Sequence, residues 1–488
     1  MGTLNFNYRF VLKTVGFILI IESMFMMLST IISFYSHEMA GDAMLLSSVI
    51  TFFSGIFVRL IGTDDYERPI TKRESFLTVT LTWVSLSLFG MLPFYLSGVI
   101  PNITDAFFET ISGFTTTGAT ILTDIDNVPR GLLFWRSLTQ WIGGIGIIVF
   151  ALAIIPIIGG NASVLYDAEA TGIVHERFQP RVTQIAKHLW IIYIIITVTL
   201  TLLLWVGPMN LFDSICHAMS SVATGGFSTK QNSIAYWDSP YIQYVLSIFM
   251  FIGGINFALI FFLIKGMPKK LLKNEEFRWY ACIVLFFTIV FAICLLASGK
   301  FTNVEEVFRT SLFHVISGIS STAFTFHNYA GWGSFYVFMM LILMLFCACS
   351  GSTSGGIKIV RVIVLFKNTI NEFKRQVHPT AILPVRINKQ VVPVDTVTKV
   401  LAFMFLYVGI LVISCVVLSL MGMNFESAIG ASIASISNIG AGLGSEAETG
   451  HFANVSAGAK WYMGFIMLVG RLEVFTVLSL FMPTFWKK

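Results

Sequence analysis

Four stretches of this 488-residue chain pair an Asn with an acidic residue two or three positions later. Each then runs through a short apolar segment into glycine, threonine and serine. They are NITDAFFETISGFTTTGAT from Asn102, NLFDSICHAMSSVATGGFST from Asn210, NVEEVFRTSLFHVISGISSTAFTF from Asn303 and NFESAIGASIASISNIGAGLG from Asn424. Asn followed by an acid is a helix-start signature. Sixteen residues separate Asn102 from Gly118, Asn210 from Gly226 and Asn424 from Gly440; in the third stretch twenty separate Asn303 from Ala323, one helical turn more. The chemistry on offer is oxygen chemistry. A short helix directs the partial negative charge of its C-terminus forward, and glycine lets consecutive carbonyls turn to one side. The hydroxyls of Thr115, Thr116, Thr117, Thr224, Ser321, Thr322 and Ser437 add further oxygens. Such a set can replace the hydration shell of a cation. No ring of Asp or Glu accompanies it, which argues for a monovalent ion, with potassium the natural candidate.

The elements that must position these oxygens lie in a membrane. Hydrophobic residues make up 56% of the chain and charged ones 12%, against roughly 25% charged in soluble domains. Ten stretches are long enough to cross the hydrocarbon core: 10–34, 43–61, 76–98, 131–158, 185–206, 241–264, 279–297, 333–364, 400–421 and 461–485. The four Asn-led segments, with helical parts at 103–113, 211–222, 304–318 and 425–436, are about half the length needed. Lys and Arg cluster after the second, fourth, sixth and eighth spans and at the chain end, so those segments and both termini are expected to be cytoplasmic. The half-spans then lie outside. The polar segments are too short to bury a core of their own, so any large regulatory module is expected on another chain.

The expected fold is an all-α integral membrane protein: four parallel span–half-helix–span repeats around a central pore, preceded by two extra transmembrane helices. The extra helices occupy 1–65 and the repeats 66–160, 161–270, 271–370 and 371–488. Repeats of one orientation are related by an axis along the membrane normal. Their extended returns must line the passage, because irregular backbone at membrane depth needs a cavity or protein around it.

Other residues carry two readings each. Gly351, Ser352, Thr353, Ser354, Gly355 and Gly356 interrupt the 333–364 span, as a kink or as a flexible plug. The same stretch mimics a phosphate loop, but Ile357 separates Gly356 from Lys358 and no Ser or Thr follows, so nucleotide binding by this chain is rejected. Arg471 and Glu473 are charges inside the last span, either paired to another helix or set as a barrier below the returns. Lys358 and Arg361 read as ordinary anchors at a span end. Asp105, Asp213 and Glu305 either attract cations or complement helix N-termini. His217 and His314 read as polar packing rather than metal ligands. The six cysteines lie in apolar stretches and read as small buried hydrophobes.

The motifs SGFTTTGAT from Ser112, SVATGGFST from Ser221, SNIGAGLG from Ser437, SGSTSGGIKIVR from Ser350 and GRLEVFTVLSLFMPTFW from Gly470 resemble the membrane subunit of the bacterial Trk/Ktr potassium uptake systems, of TrkH/TrkG type, over the whole chain. That resemblance implies potassium uptake across the bacterial inner membrane by a homodimer, each subunit with its own pore. It implies a cytosolic TrkA-like nucleotide-binding partner, so that nucleotide enters only through the partner, with no covalent cofactor, contact with membrane lipid and no nucleic acid. By motif position the potassium filter would be Thr116, Thr117 and Gly118; Thr224, Gly225 and Gly226; Ser321, Thr322 and Ala323; and Asn438, Ile439 and Gly440. Residues Gly351 to Gly356 would gate it, with Arg471 beneath. The chain departs from the family at Ala323, usually glycine, and at Ala441, often proline. A weakly selective potassium/sodium transporter is therefore the alternative. A carrier of an organic solute would call for inverted repeats, and an intramembrane enzyme for HExxH, GxSxG or paired intramembrane aspartates; the sequence offers none of these.

Overall fold

The computed structural model describes residues 6–62, 71–146, 182–299, 301, 303–440 and 450–486. Two helices, α1 (Tyr8–Tyr35) and α2 (Ala40–Ile61), pack along each other as a hairpin at the start of the chain. Four units follow. The first has α3 (Lys72–Gly90), the short α4 (Ile103–Phe114) and α5 (Arg130–Gly144). The second has α6 (Val182–Val206), the short α7 (Leu211–Val222) and a bent pair, α8 (Pro240–Gly253) and α9 (Phe257–Ile264). The third has α10 (Glu275–Ala297), the short α11 (Val304–Ile319), α12 (Ser334–Leu345) and α13 (Ile359–Val377). The fourth has α14 (Val394–Leu420), the short α15 (Phe425–Ser437), α16 (Ala457–Arg471) and α17 (Val474–Leu478). A two-residue antiparallel hairpin, Arg386–Ile387 against Gln390–Val391, follows α13 and is the sole β structure among the described residues.

Burial is inverted relative to a soluble protein. Thr115, Thr116, Thr117, Gln140, Thr224 and Thr322 are fully buried, while Phe57, Phe286 and Phe405 are 61–80% exposed on outward helix faces. Polar groups at the centre and large apolar ones at the surface suit a hydrocarbon solvent. Six helices are long and apolar enough to span, and two bent pairs add two more by length and composition. The chain is a multi-pass all-α membrane protein.

Each short helix packs against three others by one rule: the span before it, the span after it, and the second span of the preceding unit. Thus α4 touches α3, α5 and α16; α7 touches α6, α8 and α5; α11 touches α10, α12 and α8; α15 touches α14, α16 and α12. The contact of α4 with α16 closes the cycle.

The structure corrects several spans. The 241–264 stretch is two helices bent by 109°, and 461–485 bends by 117° after Arg471. At the first break Asn256 caps α9 by accepting from the Ala258 N–H at 2.8 Å. At the second, Glu473 takes a left-handed φ of 60°. The helix from Arg130 stops at Gly144; the 147–158 part of that span, like Ala441, lies outside the described residues. Among the described residues the later span is therefore broken in the second, third and fourth units, in place of the one interruption read at 351–356. The cysteines also differ from expectation: Cys216, Cys347 and Cys349 are buried, Cys294 and Cys415 partly so, and Cys282 is exposed on the outward face of α10.

Candidate functional site

The four short helices end alike. Thr116, Thr224, Ser321 and Asn438 each adopt a left-handed φ, between 54° and 62°, the usual way to terminate a helix and turn the chain aside. Glycine was expected to supply this turn, yet at all four positions a non-glycine residue does. A backbone N–H then folds back onto the helix: Thr117 to the Ser112 carbonyl, Gly225 to Ser220 and Ile439 to Ala434, each at 2.9 Å. The third unit closes one residue later, from Ala323 to Ser317 at 3.2 Å. A second left-handed residue follows in three units, Gly118 (φ 81°), Gly226 (78°) and Ala323 (58°).

These returns meet one another in ring order. A methyl on Gly118 would lie 2.0 Å from the Gly225 carbonyl oxygen, and one on Gly226 would lie 1.8 Å from that of Thr322. A methyl on Gly440 would lie 2.4 Å from the Gly118 carbonyl carbon. Only backbone without a side chain can approach so closely. Thr116, Thr117, Thr224, Gly225, Ser321, Thr322, Asn438 and Ile439 are buried, whereas Gly118, Gly226, Ala323 and Gly440 are each partly accessible. The accessible position is the same in all four units, so the ring opens along one line.

Buried polar side chains hold the ring. Gln140 of α5 donates from Nε2 to the Gly225 carbonyl at 2.7 Å, and its Oε1 accepts from Ser220 Oγ at 2.5 Å and the Phe227 N–H at 3.1 Å. Asn438 Nδ2 donates to Thr117 Oγ1 at 3.1 Å and to the Met467 carbonyl at 2.8 Å. Tyr407 and Ser437 share a hydroxyl hydrogen bond of 2.7 Å. Behind the first return, Glu109 and Arg136 form an ion pair at 2.6 Å, 1% and 2% exposed. Glu109 also accepts from Thr120 Oγ1 and the Ile121 N–H, while Arg136 donates to the Ser228 carbonyl and lies 3.5 Å over the Phe227 ring. This group ties the first return to the second, as a desolvated pair must be tied to be tolerated. Sequence reading passed over Gln140, Glu109 and Arg136; a charge inside an apolar run was the available signal.

The 346–358 loop lies against the ring. Thr353 Oγ1 sits 3.3 Å from Thr224 Oγ1 and donates to the Val222 carbonyl at 3.0 Å. The Gly355 N–H donates to Ser321 Oγ at 3.2 Å, and a methyl on Gly355 would lie 2.3 Å from the Ser437 carbonyl. Gly351 and Gly356 have left-handed φ values of 71° and 62°, and Ser352 and Ser354 share a 2.9 Å hydrogen bond. Arg471 donates to the Thr353 carbonyl at 2.8 Å and to Gly144 at 3.1 Å, joining the loop to the end of α5. Glu473 pairs instead with Arg361 at 2.6 Å, and the buried Lys358 Nζ donates to the Ser354 carbonyl. Reading Lys358 and Arg361 as simple anchors is corrected: both are drawn into the loop's surroundings.

On the far side of the ring, Asp105 pairs with the buried Lys460 at 2.6 Å and Glu305 with Arg309 at 2.9 Å. Asp213 accepts from Thr229 Oγ1 at 2.6 Å and Asn210 Nδ2 at 2.8 Å. Asn102, Asn210 and Asn303 each accept a first-turn N–H, and Asn424 makes no such side-chain bond. The acids thus serve caps and ion pairs. His217 bonds the Asp213 carbonyl and Ser228 Oγ, and His314 the Thr310 and His327 carbonyls, as polar packing. Among the described residues no group of three or more His, Cys, Asp or Glu could hold a metal ion.

Comparison with known proteins agrees with this architecture. The family model TrkH, described as a cation transport protein, matches residues 46–488. The Trk system potassium uptake protein TrkH of Salmonella typhimurium is 37% identical over 489 residues, covering 99% of this chain and 100% of that protein. TrkG of Escherichia coli K12, also named a Trk system potassium uptake protein, is 31% identical, covering 99% of each. The crystal structure of the potassium transporter TrkH from Vibrio parahaemolyticus superposes with a TM-score of 0.89 at 34% identity, covering 98% of this chain and 100% of that one. By these matches and by its fold the chain belongs to the TrkH family of cation transport proteins, and so stands among transporters rather than enzymes.

Proposed function

We propose that the chain carries potassium into the cell across the bacterial inner membrane, through a filter of Thr116–Gly118, Thr224–Gly226, Ser321–Ala323 and Asn438–Gly440. The observation that carries this reading is the single line of accessible residues, Gly118, Gly226, Ala323 and Gly440, in an otherwise buried ring of backbone carbonyls. Rings of carbonyls suit a large, weakly hydrated monovalent ion. Residues 1–65 form the extra helix pair, and 66–160, 161–270, 271–370 and 371–488 the four pore repeats, with both termini cytoplasmic. The loop Gly351–Gly356 gates the ion path from below, with Arg471 fixing it in the closed position and adding a positive charge on the exit route. The working assembly is a homodimer in lipid, regulated by a cytosolic TrkA-like subunit that binds the nucleotide.

A second reading follows from Ala323. Its methyl occupies a left-handed backbone position, at about 1–2 kcal/mol, and its turn closes one residue late. One quarter of the filter is looser, so sodium is rejected less firmly than in an all-glycine ring. The decisive experiment is growth rescue of a potassium-uptake-deficient bacterium at low external potassium, with and without a TrkA-like partner. Rescue by the wild-type chain is expected; failure with the chain in the membrane and the partner present in the cytosol would sink the reading.

A further inference from the structure

The 346–358 loop leaves and rejoins its flanking chain beside one side chain from another span. Glu276, the second residue of α10, is 6% exposed. One of its carboxylate oxygens accepts from the Ser350 N–H at 2.6 Å and from the Val360 N–H at 3.3 Å; the other accepts from Ser350 Oγ at 2.9 Å. Ser350 immediately precedes Gly351, and Val360 is the second residue of α13. The first N–H groups of a helix have no partner within it, and the side chain of Lys358, in the capping position of α13, accepts none of them. Glu276 fills that role from a different span, where a carboxylate also complements the helix N-terminus. The same group holds the loop's other foot.

Between those two feet lie the left-handed hinges Gly351 and Gly356. The neighbouring carboxylate is committed elsewhere: Glu275 pairs with Lys367 and accepts from the Asn388 N–H at 3.1 Å. We propose that Glu276 is a positioning residue that sets how firmly the loop stays beneath the ring, an inference that rests on reading this loop as the gate. Its loss frees both feet at once, which loss of any one donor on the loop does not. Flux therefore rises while the ion ratio, fixed at the ring, stays where it is.

The test is rubidium uptake by the purified full-length chain in liposomes, with and without competing sodium. Glu276→Ala is expected to speed uptake about tenfold, the equivalent of one charged hydrogen bond. Glu276→Gln, which retains one acceptor oxygen, should fall between it and wild type, with the rubidium-to-sodium ratio unchanged in both. Wild-type or slower uptake by monodisperse Glu276→Ala protein would overturn the proposal, as would a changed ion ratio. Should Glu276→Ala not fold, Ser350→Ala combined with Val360→Pro carries the test. Proline is tolerated in a first helical turn, so this pair removes two of the three donors to Glu276, the Ser350 hydroxyl and the Val360 N–H, and should raise uptake in the same direction by a smaller factor; unchanged uptake again overturns it. A wild-type chain that passes no rubidium would instead defeat the transport reading, and this inference with it.

Discussion

The ring and the loop beneath it are both irregular backbone at membrane depth, yet main-chain contact and charge share the work differently in each. The ring rests on contacts between main chains closer than a methyl group allows, locked by the neutral side chains of Gln140, Asn438 and Tyr407 and backed by one charged pair, Glu109 with Arg136, that is sealed behind it. The loop touches the ring through Thr353 and Gly355, but it hangs chiefly from charged groups within reach of its ends, Arg471, Lys358 and Glu276. A backbone wedged against a carbonyl cannot move without separating two units. A charged side chain can release one hydrogen bond, at about 1.5–3 kcal/mol, and form it again. A filter needs fixed oxygen spacing and a gate needs two states of similar energy; the two regions are built for those different demands.

The largest effect is expected at Gly226. Gly226→Ala would place a methyl 1.8 Å from the Thr322 carbonyl, so rubidium flux should drop to that of empty liposomes while the protein still elutes as a folded species. Retained flux would mean that this close contact is not part of the ion path. The buttress comes next. Arg136→Ala leaves Glu109 buried without its partner and should cost about 3–5 kcal/mol, read as a lower unfolding temperature in detergent; an unchanged melt would show that the pair does not hold the ring. On the loop side the sign reverses. Arg471→Ala should increase flux by about tenfold, the value of one charged hydrogen bond, with the potassium-to-sodium ratio constant; a ratio that moved would place Arg471 in the filter instead. The smallest effect is expected at Ala323→Gly. Relief of about 1 kcal/mol of left-handed strain should raise the potassium-to-sodium ratio several-fold in competition flux, and an identical ratio would sever that residue from selectivity.

Sequence and structure agree best where local chemistry decides. The short helices begin at Ile103, Leu211, Val304 and Phe425, each one residue after its Asn, because capping is a property of neighbouring residues. The bends were hidden. Long apolar runs flank both breaks, and a single Asn256, or Arg471 with Glu473, inside such a run does not distinguish one straight span from two pieces at 109° or 117°. The double glycines Gly143–Gly144 and Gly253–Gly254 were the legible trace. At the candidate site, the oxygen-bearing residues were readable as a repeat, but the left-handed Thr116, Thr224 and Ser321 were not, since β-branched or hydroxyl residues rarely adopt that conformation unless tertiary contacts impose it. Glu109 with Arg136, and Glu276 with Ser350, join positions far apart in the chain; their partners become evident only once the helices are assembled.

The last long helix also reaches back to the first short one: Lys460 meets Asp105 across 355 positions at 2.6 Å, and Trp461 Nε1 donates to Thr104 Oγ1 at 3.1 Å. Such distant pairing is the slowest kind to form. Without α16, α4 lacks the contact that closes the cycle of units. A chain cut before residue 457 is therefore expected to give no selective flux, because the element that closes the throat comes last in the polypeptide.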